Sequence, residues 1–179
     1  VLMLVVGGTV SLGIAILAWP AVREQHSRLG LWLLALAAAN FTLQLIENAQ
    51  WLSLLSISEA HMRGGPAQLP MFQVVAVAAH ASFRWVHYSH ILVLVTSLFA
   101  LFLLLYRAAL VPRPIAAFGM ATALLHFIGI ILPAFGGYRM PYPDLFGAPL
   151  GLATLVLALW MMTKGLAEAA PGQARDPSG

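Results

Sequence analysis

The sequence predicts an all-α fold, a polytopic bundle of transmembrane helices with five spans. Of the 179 residues, 61% are apolar and only 8% are charged, whereas a soluble domain carries about 25% charged residues. The apolar residues also lie in runs that fit a helix of about 20 residues, the length that crosses the hydrocarbon core of a bilayer. We expect a single bundle over residues 1–167 and a polar tail over residues 168–179.

The five predicted spans are separated by segments such as WPAVREQHSR and GGYRMPYPD, whose proline, glycine and charge are typical of loops. Residues 71–82 are apolar as well, and we expect them to form an extension of the third span at the outer surface. A helix preceding Val1 would make six spans. The spans lie near residues 1–20, 30–55, 84–106, 115–136 and 146–163.

The lysines and arginines of the loops predict the orientation, because cytoplasmic loops carry an excess of both. One side of the predicted bundle has only Arg63 and Arg139. The other side has six: Arg23, Arg28, Arg107, Arg113, Lys164 and Arg175. We therefore expect the N-terminus outside, the C-terminus in the cytoplasm, and a multi-pass protein of a bacterial inner membrane.

The composition also limits the chemistry. The chain has no cysteine, which excludes disulfides and thiolate metal sites. Its net charge is +3, but the basic residues are scattered singly, a pattern that does not favour nucleic acid as a partner. The expected partner is the lipid bilayer, together with a membrane-protein complex or a second copy of the chain.

A polar stripe runs along one face of the second span. Gln44 follows Asn40 by four positions, Glu47 and Asn48 follow Gln44 by three and four, and Trp51 follows them by four and three, which places all five on the same side of a helix. Polar and ionisable residues inside a membrane are candidates for function by default. The stripe therefore predicts a functional face on this span.

The third span begins with HASFRWVHYSH, which contains Arg84, His87 and His90. Counting about 1.5 Å per residue from the inner end places Glu47 about 27 Å up and Arg84 about 34 Å up. On the same scale His90 lies at about 26 Å, His87 at about 30 Å, and His126 of the fourth span near mid-membrane. We expect Glu47 and Arg84 to form an ion pair at an outward-facing polar cluster.

Taken together, these positions define one predicted ligand-binding or polar cluster that faces outward between spans two, three and four. Its members are Asn40, Gln44, Glu47, Asn48, Arg84, His87, His90 and His126.

Three sharper interpretations use the same side chains. His87 and His90 are spaced by three residues, so two imidazoles could share a divalent metal, with Glu47 as a third ligand. A haem could take His90 and His126 as axial ligands, although their depths differ by about two helical turns. Glu47 could also serve as a base with His87 or His90 as proton carrier. No catalytic nucleophile is identifiable, because the GxSxG motif is absent.

The leading hypothesis is a non-enzymatic module that binds a small ligand or a lipid, or that serves as an accessory subunit. An intramembrane enzyme or redox subunit with histidines on a metal or haem is the alternative. A transporter protomer is the third hypothesis, which the lack of a visible repeat does not favour.

Aromatic and small residues receive structural interpretations. All five tryptophans fall near the ends of predicted spans, where amphipathic rings settle at lipid headgroups. Small residues, including Gly7, Gly8 and the segment 119–123, allow two helices to approach closely.

The second half of the chain resembles a known family. The segments LYRAALVPRPIAAFGMATALLHFIG and LGLATLVLALWMMTKGL are similar to those of a bacterial multi-pass membrane family, domain of unknown function 4386. The likeness covers residues 84–167 and extends only loosely over the first two spans. It implies a membrane protein with six helices, and it implies no reaction, cofactor or site residue.

Overall fold

The computed structural model describes residues 2–64, 69–135 and 143–165, and within these ranges every regular element is helical. The all-α prediction is confirmed, while the polar tail and Arg139 lie outside the described residues. The elements in chain order are α1 (Leu2–Arg63), α2 (Leu69–Arg107), α3 (Arg113–Phe135), a 3-10 helix (Pro143–Phe146) and α4 (Ala148–Lys164).

Three helical segments are long and apolar enough to cross a membrane. They are His26–Arg63, α2 and α3. Two further apolar helices, Val5–Ile16 and α4, are shorter. The number of spans and their orientation stay predictions.

The first helix is a hairpin of two arms that meet at His26. The backbone of His26 is not helical (φ −133°, ψ 41°), and the chain reverses direction there. Trp19 packs against Gly30, and Gln44 packs against Gly8, contacts that only two antiparallel arms can make. The prediction of a loop over the whole segment between spans one and two is therefore wrong. The helix continues up to His26 from both sides.

Buried positions of the two arms follow a regular spacing. Gly8, Ala15 and Val22 of the first arm recur every seven residues. In the second arm most buried positions alternate by three and four, as in helices that pack along a seam. The positions in this pattern are Gly30, Leu33, Ala37, Asn40, Gln44 and Glu47, and Asn48 is buried directly after them. The polar stripe thus occupies positions that would ordinarily hold apolar residues.

The second helix lies antiparallel to the second arm of α1. The rings of Trp51 and Phe83 are 4.7 Å apart, and those of His61 and Phe72 are 5.5 Å apart. At the opposite end, Leu104 and Leu33 share one apolar cluster. Residues 71–82, predicted as an extension of the third span at the outer surface, belong to α2 and continue it without a break, because nothing in this alanine- and valine-rich segment interrupts a helix.

The apolar core lies between α2, α3 and α4. Phe102 is fully buried and rests on Gly119, where the absence of a side chain lets α3 approach the ring. Ala123 and Ala153 are also fully buried in the same cluster. This packing places α3 beside α2 over most of its length. The upper end of α3 is at Phe135, whose ring centroid is 6.2 Å from that of Trp85.

Exposed aromatic side chains lie near both ends of the bundle. Trp51, Phe83, Trp85 and Phe135 lie at the upper level, and Tyr106 lies near the lower end of α2. Along α2 the two levels are about 32 Å apart at about 1.5 Å per residue, close to the hydrocarbon thickness of about 30 Å. The C-terminal end of α1 and the N-terminal end of α2 lie beyond the upper aromatic level.

Candidate functional site

The site is centred on the carboxylate of Glu47. Its Oε1 accepts a hydrogen bond from Nδ1 of His87 at 2.7 Å, and its Oε2 accepts one from Nδ1 of His90 at 2.5 Å. Glu47 lies on the second arm of α1, and both histidines lie on one turn of α2, where the three-residue spacing brings both rings to the same neighbour. The carboxylate therefore joins the two helices through two side chains at once.

The carboxylate fixes which ring nitrogen carries the proton. An ionised carboxylate only accepts hydrogen bonds, so each imidazole donates through Nδ1–H. In a neutral imidazole the other nitrogen, Nε2, then carries a lone pair. Glu47 thus presents two oriented histidine Nε2 atoms as acceptors or as ligands.

The three side chains form a path from the surface to the interior. The His87 side chain is 42% exposed, whereas those of His90 and Glu47 are 11% and 9% exposed. Phe83 stacks on the outer face of His87, with ring centroids 5.7 Å apart and planes at 21°. A proton or a polar molecule that reaches His87 is therefore two hydrogen bonds from the buried end of the site.

Buried carboxamides flank Glu47 on its own helix. Asn40, Gln44 and Asn48 are 5%, 9% and 4% exposed, and Asn40 Oδ1, Gln44 Oε1 and both polar atoms of Asn48 have no hydrogen-bond partner among the described residues. Leaving such a group unpaired in a protein interior costs about 1–3 kcal/mol. These atoms are therefore expected to bond to something in the native protein.

His126 contributes a further unpaired atom from α3. Its Nδ1 is buried and has no partner within the part of the chain that the structure describes. One turn below it, Ala123 lines a small apolar cavity with Val95 and Phe99. Among the described residues, no hydrogen bond links its Nδ1 to the other cluster members.

The predicted ion pair between Glu47 and Arg84 is wrong. Both oxygens of Glu47 are taken by the two histidines, and Arg84 is exposed, with its guanidinium carbon 5.6 Å from the ring centroid of Trp85. An arginine near a membrane interface reaches toward water and so lowers the cost of its charge. Arg84 therefore lies at the edge of the cluster and has no part in its buried centre.

The pairing of Glu47 with histidine was detectable in the sequence. The predicted depth of Glu47, about 27 Å, lies between those of His90 and His87 and well below the about 34 Å of Arg84. Opposite charge alone favours Arg84 as the partner of Glu47, whereas the predicted depths favour the two histidines. Depth along antiparallel helices is the better guide here, because facing side chains must lie at one level.

Metal ligation by all three side chains does not fit this geometry. The Glu47 oxygens lie at hydrogen-bond distance from the Nδ1 atoms, which leaves no room for an ion between them. Across residues 2–64, 69–135 and 143–165, no group of three or more His, Asp or Glu side chains is arranged to hold a metal ion.

Comparison with known proteins gives one match. The family model described as a domain of unknown function (DUF4386) matches residues 1–165. The match includes the first two predicted spans, so it reaches well beyond the second half of the chain. No curated protein and no solved structure shows a significant match.

Proposed function

The chain belongs to the DUF4386 family, and we propose that it is an integral membrane protein that binds a small polar ligand inside its helical bundle without transforming it. The observation that carries this proposal is the row of buried carboxamides beside Glu47, whose oxygens have no hydrogen-bond partner among the described residues. A ligand or bound water that hydrogen bonds to these atoms would remove the cost of burying them.

The residue types favour binding over catalysis. Asn40, Gln44 and Asn48 present carboxamides, which act as donors and acceptors but neither gain nor lose a proton at neutral pH. The ionisable members, Glu47 and the two histidines, already bond to one another. In this arrangement the triad of Glu47, His87 and His90 holds α1 and α2 together and shapes the site, while the carboxamides contact the ligand.

The chemistry of the unpaired atoms defines the ligand class. The oxygens of Asn40 and Gln44 accept hydrogen bonds, and Asn48 both donates and accepts. A matching ligand carries N–H or O–H donors and at least one acceptor, and it has no strong net charge, because Glu47 is already bonded to the histidines. Small amides, alcohols and zwitterions meet these requirements.

Native mass spectrometry of the purified full chain tests the proposal. Asn48→Leu keeps the side-chain volume and removes both polar atoms, so the mass of a copurifying ligand should be lost from this variant. Gln73→Leu is the matched control, because Gln73 is an exposed carboxamide of α2 outside the row. Ligand retention by Asn48→Leu at the wild-type level would contradict the proposal.

A histidine-held metal or haem is the second candidate. Histidines that ligate metals commonly donate their other ring N–H to a carboxylate, and His87 and His90 both do so to Glu47. The remaining ligands would have to come from outside the described residues. Metal analysis and an absorption spectrum of the purified protein distinguish this candidate, since a Soret band or bound metal lost in His90→Ala would support it.

The proposal includes a location in a bacterial inner membrane with the N-terminus outside. Arg107 and Arg113 lie at the lower aromatic level, and Lys164 lies beside the same α2–α3 turn. At the opposite end of the bundle, Arg63 forms an ion pair with Glu59. This distribution supports a cytoplasmic lower face, and it leaves the polar site open toward the outside.

A further inference from the structure

We propose a second binding site, for the phosphate of an anionic phospholipid headgroup, at Lys164, where the lower end of α4 meets the turn between α2 and α3 (residues 108–112). This site is separate from the buried row of carboxamides, so it does not depend on the proposed ligand-binding function. Three features support it: a depression beside Lys164, a concentration of basic side chains, and an apolar side of α4 that leads from the depression toward the bilayer centre.

The depression lies between the last turn of α4 and the α2–α3 turn. Its volume is about 300 Å³, and Lys164 is the charged residue of its lining. The α2–α3 turn is held in place, because the N–H of Leu110 donates to the carbonyl of Leu105 and Val111 is buried in the apolar core. The depression is therefore a fixed feature of the fold. Its other lining residues are Ala109, Leu110, Val111, Pro112, Trp160 and Gly165.

The charges at this end of the bundle favour an anion. Lys164 forms no ion pair with a described residue, and none of the described residues that line the depression is acidic. Arg107 ends α2 and Arg113 begins α3, so two exposed arginines flank the same turn. An ammonium group forms charge-assisted hydrogen bonds to phosphate oxygens, and each basic residue at this level adds attraction to an anionic membrane surface.

The direction of α4 places Lys164 on the water side of Trp160. Phe146, just before α4, packs against Gly129 in the upper half of α3, and α4 ends at Lys164 beside the α2–α3 turn. Lys164 therefore lies one turn, about 6 Å, further from the bilayer centre than Trp160. Trp160 packs on the same apolar cluster as Ile115 in the first turn of α3, so its ring lies at the lower end of the bundle, where amphipathic rings meet headgroups.

The lipid-facing side of α4 provides contacts for an acyl chain on the hydrocarbon side of the headgroup. Val156 and Leu152 precede Trp160 by four and eight positions, so the three side chains lie along one side of the helix. Val156 is 37% exposed and Leu152 is 54% exposed. A phospholipid with its phosphate at Lys164 therefore has an acyl chain beside Trp160, Val156 and Leu152, whereas a free anion lacks these contacts.

Titration of phosphatidylglycerol into the detergent-purified full chain, followed by native mass spectrometry, tests this site. Lys164→Gln should raise the dissociation constant about five-fold, the factor that corresponds to about 1 kcal/mol per basic residue near anionic lipid. Arg63→Gln is the matched control. It removes one positive charge from an exposed arginine at the opposite end of the bundle, where the arginine pairs with Glu59, and lipid binding should be unchanged.

Further comparisons separate the charge, the headgroup and the acyl chain. Lys164→Arg keeps the positive charge and should bind the lipid like the wild-type chain. The wild-type chain should bind phosphatidylglycerol more tightly than phosphatidylcholine, whose headgroup has no net charge. Excess glycerophosphoglycerol, the same headgroup without acyl chains, should leave the lipid bound. Equal losses in Lys164→Gln and either Lys164→Arg or Arg63→Gln, equal affinity for the two lipids, or displacement by glycerophosphoglycerol would each overturn the inference.

Discussion

Glu47 illustrates how one residue can organise a membrane-embedded site. Its side chain is only 9% exposed, yet both oxygens accept hydrogen bonds from imidazoles on the neighbouring helix. Neighbouring Asn48 is equally buried and has no partner among the described residues. The function proposed above therefore gives the adjacent positions separate roles: Glu47 joins two helices, and Asn48 contacts the ligand.

Replacement of Glu47 tests its role in joining α1 and α2. Glu47→Ala leaves the buried Nδ1–H of His90 without an acceptor, and we expect a loss of about 1–3 kcal/mol in the free energy of unfolding. Glu59→Ala is the control, because the exposed pair of Glu59 and Arg63 should contribute about 0–1 kcal/mol. Thermal unfolding in detergent compares the two, and equal melting temperatures would show that the triad does not stabilise the fold.

The histidine tautomers provide a second test at this scale. In the wild-type chain His87 and His90 should both carry the proton on Nδ1 when neutral, because both bond to a carboxylate. Glu47→Gln replaces one oxygen by an NH₂ donor, so one imidazole must accept through Nδ1 and move its proton to Nε2. Nitrogen-15 NMR of labelled histidine rings detects this change. Identical spectra for the two proteins would contradict the hydrogen-bonding scheme.

Helix boundaries show which elements the sequence can predict. The fourth predicted span, residues 115–136, corresponds to α3 (Arg113–Phe135), and the fifth, residues 146–163, corresponds to α4 (Ala148–Lys164). Each is an apolar run bounded by proline, glycine or charge, so its ends are marked chemically. Composition and length alone are enough to predict these two helices.

Other elements were harder to predict for physical reasons. The charged segment between the first two spans consists largely of good helix formers. The helix therefore continues through most of this segment, and the chain changes direction only at His26. The length rule for bilayer crossing gives the membrane-spanning part of a helix but not the full length of α2. That rule places residues 71–82 outside the third span, as an extension of it, whereas the structure has one continuous helix.

Close contact between α2 and α3 depends on Gly119. A Cβ atom at this position would overlap the ring of Phe102, which is fully buried and has no space to move. We expect Gly119→Ala to lower stability by about 1–3 kcal/mol, the usual cost of overpacking. Gly151→Ala is the control, because its added methyl meets no atom within 4 Å. Similar unfolding curves for both variants would contradict the described packing.

The helices of the whole molecule differ in length: α3 has the length of a membrane span, whereas the second arm of α1 and α2 are much longer. His26–Arg63 and α2 comprise 38 and 39 residues, whereas α3 has 23. At about 1.5 Å per residue the two long helices exceed the bilayer core by roughly 25 Å. Their tip therefore projects beyond the upper aromatic level, and the polar site lies just below that level.

The absence of cysteine allows the topology to be measured with single cysteines. Met62→Cys, at an 81% exposed position near the hairpin tip, should react in intact cells with a membrane-impermeant maleimide. Ala109→Cys, in the exposed α2–α3 turn, should react only after the membrane is opened. Ala153→Cys is the control for burial, since this position is fully buried. Reaction of positions 62 and 109 from the same side would contradict the predicted crossing.

A density map of the full chain in a lipid nanodisc is the most direct test of the polar site. We predict that each Glu47 oxygen lies within hydrogen-bonding distance of one histidine Nδ1, with non-protein density against the carboxamides of Asn40, Gln44 and Asn48. A carboxylate of Glu47 bonded to Arg84, with these carboxamides bonded to other protein groups, would contradict both the geometry of the site and the function proposed for it.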